Sequence, residues 1–459
     1  MSVYTQDASL AYRRSVEFWA ITSSPAYLVT GLFGYLFLIY ATDTLLLAPA
    51  AIGTLLAITK VYDGVSDLAL GAWSDRTISR FGRRRPYMVA GGVLLLSYIG
   101  VWLPPESLGP VGTLIFIGIM LLLWETANTL IGVPFNALGI ENGQTPKRRT
   151  LFIVIGMVVG LPGSIAAIFL MQHLVGSGDV RAAGAPFFIA FGIGLSAIVT
   201  VAALRVKELP VRHHTVERSF VRMLKEVLTI PYHNRLLAVQ MTEAFAFTSI
   251  AFMVPYVMTY IVGRADLIMY VFLAYLLLNT LSRIAWVMLI PRWGMQRIWL
   301  TGLWLWVITF ALFPLVFPFG FVAYLGVALL GGVASGAASV NYAMLGDVAD
   351  YDARQSGRQR QGMYMTIYRL VSKIAGAAVA FLLGWMLQLS GFVPNTDQGT
   401  WAIVAIAAST SILPLLATLM GIRWLQGYDF YEREGLSDGS RDFIERGTLD
   451  ETNMQPALP

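Results

Sequence analysis

One stretch of the chain reads Lys60-Val61-Tyr62-Asp63-Gly64-Val65-Ser66-Asp67 and continues through Ser74-Asp75-Arg76 to Arg80-Phe81-Gly82-Arg83-Arg84-Arg85-Pro86. Its first part places one lysine and two aspartates within a run that is otherwise apolar enough to cross a membrane. Ionisable side chains at that depth are costly and usually mark a functional site. Its last part is a cluster of arginines of the kind that stays at a cytoplasmic membrane surface. The stretch therefore predicts a membrane helix that carries buried charges and ends in a basic loop.

The composition is that of a polytopic membrane protein. Of the 459 residues, 56% are hydrophobic and 13% are charged, and the mean hydropathy is +0.65, whereas about a quarter of the residues in soluble domains are charged. The chain contains no cysteine, which excludes disulfides, a thiol nucleophile and a cysteine metal site. It also contains no Gly-x-x-x-x-Gly-Lys-Ser/Thr loop, so ATP-driven transport by this chain alone is not expected.

Runs of about 20 apolar residues, the length that crosses a bilayer, recur along the chain in two sets. The first set lies near residues 17–41, 48–73, 87–104, 110–140, 150–172 and 185–205. The second set lies near residues 236–262, 266–290, 297–317, 319–346, 362–389 and 400–425. The pattern predicts an all-α polytopic membrane protein with twelve transmembrane helices in two six-helix bundles.

The placement of lysine and arginine predicts the orientation of the chain. With the N-terminus inside, most of the 32 basic residues fall in cytoplasmic segments, and only Arg181 and Arg264 fall in loops on the other side. Both termini are therefore expected in the cytoplasm, and a bacterial inner membrane is the expected location. The formal charge of +5 lies in these cytoplasmic segments, which indicates lipid rather than nucleic acid as the partner.

The halves are separated by a polar centre. The predicted segments are an N-terminal bundle at 1–205, a cytoplasmic linker at 206–235, a C-terminal bundle at 236–425 and a cytoplasmic tail at 426–459. We expect an amphipathic helix near Phe220–Leu228 in the linker and a mobile tail. His213 and His214 are adjacent on a basic loop without a carboxylate partner, so they are expected to be solvated rather than to bind a metal. A monomer is expected.

An internal repeat relates the two halves. Arg80-Phe81-Gly82-Arg83-Arg84-Arg85 follows the second span, and Arg292-Trp293-Gly294-Met295-Gln296-Arg297 follows the eighth with the same Arg-aromatic-Gly-x-x-Arg spacing. Asn136-Ala137-Leu138-Gly139 in the fourth span has a counterpart in Ala343-Met344-Leu345-Gly346-Asp347 in the tenth. Two repeats with matching loops are typical of secondary transporters whose site lies between the repeats.

The second span carries a candidate cation site. Lys60, Asp63 and Asp67 are three and four residues apart, so a helix presents them on one face, with Ser66 beside them. Two carboxylates one turn apart repel each other and favour a proton or a cation between them. The alternative is a permanent Lys-Asp pair that only neutralises itself, although one lysine leaves the second carboxylate without a partner. Sodium and protons are both compatible with such a site.

Three further groups of side chains are candidates. The eleventh span presents two pairs at four-residue steps, Tyr364 with Tyr368 and Arg369 with Lys373, and the tyrosines contact substrate or simply pack. The fourth span presents Glu125, Asn128 and Thr129, and Glu125 is a proton carrier, a substrate ligand, a partner for Arg369 or an interfacial residue. Glu243 and Arg283 are expected in gating or structural pairs. The predicted cytoplasmic gate consists of Asp75, Arg76, Arg80, Arg83, Arg84 and Arg85, which can equally serve only topology and lipid contact.

At these residues the chain resembles the glycoside-pentoside-hexuronide:cation symporter family of the major facilitator superfamily. The segment Asp63-Gly64-Val65-Ser66-Asp67 is similar to the second-span motif in which the melibiose permease branch binds its coupling cation. Asp350-Tyr351, the segment Gly357 to Gly362 and the segment Tyr368 to Lys373 resemble further signatures of that branch. Ser74-Asp75-Arg76 with the arginines up to Arg85, and also Ala127-Asn128, are closer to the sucrose symporter branch.

The resemblance implies roles for individual residues. It implies cation coupling by Asp63, Ser66, Asp67, Thr129 and Lys373. It implies substrate contacts at Tyr27, Glu125, Asn128, Gly132, Asn136, Tyr364, Tyr368 and Arg369. The chain departs from the melibiose permease branch because Tyr27 and Gly132 stand where that branch has sugar-binding carboxylates, and Asn136 stands where it has a tryptophan. Arg369 replaces a small hydroxyl residue.

These departures leave two versions of the substrate site open. Either the substrate carries a carboxylate that Arg369 receives, as a uronide would, or Arg369 pairs with Glu125 and hydrogen bonds hold a sugar. The expected function is symport of a sugar, glycoside or uronide with sodium or a proton, by alternating access and without a cofactor. The alternative is transport of a non-sugar organic acid, aromatic or lipid-like solute, which an apolar lining from Phe33, Phe245, Phe247 and Phe252 would favour. An enzyme is not expected, since no set of catalytic groups converges in the sequence.

Overall fold

A computed structural model describes residues 2–77, 79–142, 146–208, 220–357 and 361–439. Within these ranges the regular structure is helical and no strand occurs. The observed architecture is therefore the all-α one that the apolar runs predict, because a helix satisfies its own backbone polar groups in a lipid environment.

The first of two compact units consists of Met1–Glu217 and Gly376–Ala402. Its helices before the linker are α1 (Ser2–Ile39, followed by a π-helical turn at Tyr40–Thr44), α2 (Pro49–Arg76), α3 (Arg85–Leu94), α4 (Ser97–Trp102), α5 (Pro110–Asn142), α6 (Pro146–Gly176) and α7 (Val180–Arg205). α1 packs along α6, α5 packs against α2 and α3, and α3 packs against α7. The α2–α5 and α1–α5 contacts are the ones that position the candidate site.

Local sequence explains where several of these helices begin. α2 starts at Pro49, whose missing N–H costs nothing at the first helical position. α7 starts after Asp179, whose carboxylate accepts a hydrogen bond from the Ala182 N–H at 3.0 Å. α5 continues through Pro134 without a break.

The second unit consists of Arg218–Ala375 and Ile403–Pro459. The helices that begin in it are α8 (Phe220–Leu228), α9 (Pro231–Tyr256, followed by a π-helical turn at Val257–Ile261), α10 (Ile268–Trp293), α11 (Met295–Val316), α12 (Gly320–Gly336), α13 (Asn341–Ser356), α14 (Gln361–Leu389), α16 (Ile412–Gln426) and α17 (Phe430–Glu434), while α15 (Thr400–Thr410) begins at the end of the first unit. Short 3-10 turns lie at Ala265–Leu267, Phe317–Phe319 and Ala337–Val340. α9 packs against α16, and α12 packs against α10 and α11.

The start of the predicted tail is packed rather than mobile. Tyr428, Phe430 and Tyr431 are at most 3% exposed and belong to the aromatic core of the second unit. Asp429 forms an ion pair with Arg235 at 2.9 Å, and the Met295 N–H donates to the carbonyl of Asp438 at 3.0 Å. The prediction of a mobile tail from residue 426 is therefore wrong up to residue 439, because these aromatic side chains bury apolar surface that a free tail would expose.

The later part of α14 groups with the first unit. An added Cβ on Gly53 of α2 would lie 2.4 Å from the Ala380 carbonyl oxygen, and one on Gly384 of α14 would lie 2.5 Å from the Pro49 carbonyl oxygen. Glycine at both positions lets the two backbones touch. Residues 376–402 thus belong to the first unit, whereas the sequence placed them in a C-terminal bundle at 236–425. The two six-helix bundles stay a prediction.

Length and composition single out nine segments in the described part of the chain that are long and apolar enough to cross a membrane. One of them, Met295–Ser356, holds both the ninth and the tenth predicted spans. The second predicted span is not among them because Lys60, Asp63 and Asp67 make α2 too polar. The third is not among them because a break after Leu94 leaves α3 and α4 too short. The chain is an integral membrane protein, and the number twelve stays a prediction.

Candidate functional site

The acidic face of α2 lies against α5. Because Asp63 and Asp67 are one turn apart, both carboxylates reach the same side chain, Thr129 of α5. The Thr129 hydroxyl is 2.9 Å from Asp67 Oδ1 and 3.3 Å from Asp63 Oδ1. Ser66 Oγ lies 3.1 Å from the same hydroxyl oxygen. The structure thus brings together Asp63, Ser66, Asp67 and Thr129, four of the five residues predicted to couple a cation.

The chemistry of this cluster suits a hard cation or a proton. A threonine hydroxyl has one hydrogen, so it can donate fully to only one of the two carboxylates at a time. Asp63 is 6% exposed and Thr129 is 3% exposed, whereas Asp67 is partly exposed, so a positive charge held between the two carboxylates would be partly shielded from water. Carboxylate and hydroxyl oxygens are the ligands that hard cations prefer. Among the described residues, no three acidic or imidazole groups converge as a resident metal centre would require.

Lys60 has a different partner from the one that its position on α2 suggests. Its Nζ lies 2.6 Å from Glu125 Oε1 on α5, and the Glu125 side chain is 4% exposed. Nearby on the same two helices, the Tyr62 hydroxyl lies 2.7 Å from Thr126 Oγ1. Glu125 is thus a buried, ion-paired carboxylate, and its role stays a prediction. Lys60 forms its closest ion pair with Glu125 and not with the aspartates.

A cavity of about 140 Å³ lies in the first unit beside this cluster on α5. Asn128, Gly132 and Asn136 line it, and they are spaced by four residues on one face of α5. Across from them, α1 contributes Phe18 and Trp19 among others. The aromatic side chains form a cluster in which the ring centroids of Phe18 and Phe135 are 4.4 Å apart and those of Trp19 and Phe135 are 5.0 Å apart.

Two predicted substrate residues of the first unit do not line this cavity. Tyr27 is 36% exposed, and its ring lies against Gly160 of α6, where an added Cβ would be 2.8 Å away. Glu125 faces Lys60 on α2. Phe33 was expected to line the cavity if the solute is apolar. It does not line the cavity and instead stacks on Phe37, with ring centroids 4.5 Å apart.

The predicted residues of the eleventh span lie on α14 in the second unit. Tyr364 and Tyr368 are at most 1% exposed and belong to the aromatic core of that unit. The Tyr368 hydroxyl donates to Gln240 Oε1 of α9. This burial agrees with the alternative in which the two tyrosines pack in the core and do not contact substrate. Arg369 is exposed, and the roles of Arg369 and Lys373 stay predictions.

Glu243, for which a gating or structural pair was expected, is held by an indole. Trp299 Nε1 donates to Glu243 Oε2 at 3.2 Å. Among the described residues, Glu243 has no basic group within ion-pair distance. This contact joins α9 to α11 inside the second unit.

The predicted gate loop is anchored by an acidic residue that sequence reasoning missed. Glu208, three residues after α7, accepts hydrogen bonds from the backbone N–H groups of Arg83, Arg84 and Arg85 at 2.8, 3.0 and 2.8 Å. Gly82 has a φ of +105°, and an added Cβ there would lie 2.4 Å from the same carboxylate. The Arg85 guanidinium donates to the Leu204 carbonyl. The side chains of Asp75 and Arg76 lie outside the described part of the structure.

Two signals could have pointed to the missed residues. An acidic residue just after a span, in a chain whose loops are basic, is the natural partner for free N–H groups at the start of α3. Phe18, Thr22 and Val29 recur at helical spacing on α1 together with Trp19 and Ala26, and all of them line the cavity. That spacing indicates one face of a helix, but it does not say whether the face is packed or lines a space.

Comparison with known proteins identifies the family. The model of the family described as MFS/sugar transport protein matches residues 18–432. The chain is 21% identical over 400 residues to the uncharacterized symporter YjmB of Bacillus subtilis, covering 83% of this chain and 84% of that protein. It is 22% identical over 401 residues to the glucuronide carrier protein homolog of Escherichia coli, covering 83% and 85%.

The fold has solved relatives as well. The crystal structure of the nucleoside transporter NupG aligns with a TM-score of 0.63 at 15% identity, covering 91% of this chain and 99% of that one. At this identity the likeness shows the fold alone, which is that of the major facilitator transporters. Together with the family match over most of the sequence, it follows that the chain belongs to the sugar-transport family of the major facilitator superfamily and, within it, to the glycoside-pentoside-hexuronide:cation symporters.

Proposed function

We propose that this protein is a secondary active transporter that couples the entry of a cation, sodium or a proton, to symport of a sugar, glycoside or uronide. The observation that carries the proposal is the convergence of Asp63 and Asp67 of α2 on Thr129 of α5. Two carboxylates held around one hydroxyl at that depth favour a state with a bound positive charge.

α5 connects the cation site with the cavity. Thr129 belongs to the cation cluster, and the preceding residue, Asn128, lines the cavity. A cation that draws the two carboxylates together changes the hydrogen bonds of Thr129 and thereby the position of α5. The cavity wall formed by Asn128, Gly132 and Asn136 moves with the helix. This supports coupling between ion and solute, because each ligand favours the same arrangement of one element.

The cycle we propose is alternating access between two six-helix bundles, residues 1–205 and 236–425, with Lys373 as a further cation-site residue. The distribution of arginine and lysine supports cytoplasmic termini, and a bacterial inner membrane is the proposed location. The arginines from Arg80 to Arg85 lie at the cytoplasmic gate, together with Asp75 and Arg76. The protein acts as a monomer in lipid, without a cofactor other than the coupling ion.

Two versions of the substrate site differ in their support. Glu125 is already ion-paired with Lys60 in its own unit, which speaks against the version in which Arg369 neutralises Glu125. In the remaining version, Arg369 receives a substrate carboxylate, as a uronide would offer. Tyr364, Tyr368 and Tyr27 stay candidate contacts in other conformations of the transporter.

The test is accumulation of labelled sugars, glycosides and uronides in proteoliposomes under an imposed sodium or proton gradient. Asp63→Asn and Asp67→Asn are each expected to abolish gradient-driven accumulation. A neutral amide lacks the negative charge that attracts a cation or takes up a proton. Exchange of labelled for unlabelled solute without a gradient serves as the control for folding and substrate binding. If both variants still accumulate solute against its gradient, the cation-site assignment is wrong.

A further inference from the structure

We propose that the cavity between α1 and α5 binds a single aromatic ring with a polar substituent at its edge, such as the aryl group of an aryl glycoside. Nothing in the sequence assigns the cavity this ligand, and its size and lining carry the inference. The claim that the cavity binds a ring is independent of transport. The further claim that the ring is part of the transported solute rests on the proposed function.

The size of the cavity fits one ring. Its volume is about 140 Å³, and an engineered cavity of about 150 Å³ lined by apolar side chains is known to bind benzene. Solute sites that enclose a whole drug-sized molecule are larger, about 300–1,000 Å³. The cavity therefore takes one ring of a larger solute rather than the whole of it.

The lining is too poor in hydrogen-bonding groups for a sugar ring. Among the described residues that line the cavity, hydroxyl and amide groups come only from Thr22, Thr30, Asn128 and Asn136, and no charged side chain is present. The hydroxyls of Thr22 and Thr30 donate to carbonyls of their own helix at 2.7 and 2.8 Å. Each sugar hydroxyl buried there without a partner would cost about 1–3 kcal/mol. The cavity thus disfavours a pyranose and accepts an apolar ring.

The aromatic residues and the amides define how a ring would lie. Phe18, Trp19, Trp124 and Phe135 supply aromatic faces and edges, which attract a further aromatic ring in tilted or offset arrangements. Asn128 and Asn136 stand on one wall and are partly exposed, and among the described residues neither has a hydrogen-bonded side-chain partner. An amide there can donate to or accept from a phenolic oxygen, which places the polar substituent toward α5.

Gly132 leaves the space open from the α5 side. An added Cβ at Gly132 would meet no atom within 4 Å, and the residue lies midway between the two asparagines. A leucine at this position would project its side chain into the cavity. Gly194 on α7 provides a matched control, because an added Cβ there also meets nothing within 4 Å and Gly194 does not line the cavity.

The experiment is equilibrium dialysis of radiolabelled phenol against the purified full-length protein in detergent. The wild type and Gly194→Leu are expected to bind phenol alike, and Gly132→Leu is expected to bind it at least tenfold more weakly. Cyclohexanol, which has the same heavy atoms without a planar ring, is expected to compete at least tenfold less well than phenol. Equal binding of phenol by the wild type and Gly132→Leu would overturn the proposal.

A second variant and a transport assay separate the possible outcomes. Val199→Phe fills the cavity from the α7 side, so the test still works if Gly132→Leu does not fold, and its phenol binding is expected to fall likewise. If phenol binds to neither wild type nor control while gradient-driven accumulation remains sensitive to Asp63→Asn, the ring site is refuted and the transport function stands. If phenol binding is lost only on cavity filling but no solute accumulates under any gradient, the ring site stands and the transport function fails.

Discussion

Lys60 Nζ lies 2.6 Å from Glu125 Oε1 and joins α2 to α5 beside the two aspartates of the candidate cation site. The Lys60 side chain is 32% exposed and that of Glu125 is 4% exposed. A carboxylate at this depth needs its partner, because removing one member of a buried pair leaves the other charge uncompensated. The pair therefore gives Lys60 its closest acidic partner on α5 and holds the two helices together next to Asp63 and Asp67.

Removing Lys60 alone should cost stability that a second substitution restores. We expect Lys60→Met to lower the free energy of unfolding by about 3–5 kcal/mol, seen as a lower melting temperature of the purified protein. The double variant with Glu125→Gln should recover most of that loss, because no buried charge is then left without a partner. Thermal unfolding of both single variants and the double variant measures the coupling. If the stability losses of the two single variants simply add up in the double variant, Lys60 and Glu125 do not interact as an ion pair.

Thr129 should matter for the cation and little for the fold. Thr129→Val removes the hydroxyl that both aspartates share while it keeps the shape of the side chain. We expect cation affinity to fall about tenfold, which corresponds to about 1.4 kcal/mol, and Thr129→Ser to stay close to the wild type. Cation-dependent thermal stabilisation measures this effect. A Thr129→Val protein that sodium or acid pH stabilises as strongly as the wild type would argue against a role for this hydroxyl.

The contact of Gly53 with Gly384 should not tolerate a methyl group. Gly53→Ala would place its Cβ 2.4 Å from the Ala380 carbonyl oxygen, which belongs to backbone and cannot rotate away. We expect a loss of about 1–3 kcal/mol through forced separation of α2 and α14. The matched control is Gly376→Ala on α14, the partner helix in this contact, where an added Cβ meets nothing within 4 Å. The two melting temperatures are compared, and the prediction fails if both variants melt together.

Loss of the Glu208 carboxylate should loosen the arginine loop. Three backbone N–H groups at the start of α3 donate to it, and an anion there is also favoured by the helix dipole. We expect Glu208→Ala to speed tryptic cleavage between Arg80 and Arg85 several-fold, with Glu208→Gln in between. The exposed Glu432 supplies the control Glu432→Ala. Digestion followed by mass spectrometry of the fragments gives the rates, and unchanged rates at the loop would contradict the anchor.

The sequence by itself determined the class of the protein and pointed to the residues of its candidate cation site. Long apolar runs must become helices in lipid because only intrahelical hydrogen bonds satisfy their backbone. The spacing of Asp63 and Asp67 placed both on one helix face, because helical geometry alone fixes how residues of the same helix are oriented. The resemblance then added Thr129 on α5, and the structure brings its hydroxyl to within 3.3 Å of both carboxylates.

The tertiary structure decided which side chains meet across elements. Lys60 faces Glu125 and not only its own helix, Glu208 reaches back over more than a hundred residues to Arg83, and Tyr27 packs on α6 instead of lining the cavity. Such contacts depend on how each helix is rotated and how closely it packs, which glycine contacts and side-chain volumes set jointly. The cavity between α1 and α5 arises in the same way, because an apolar helix face reads identically in sequence whether it packs against a neighbour or lines a space.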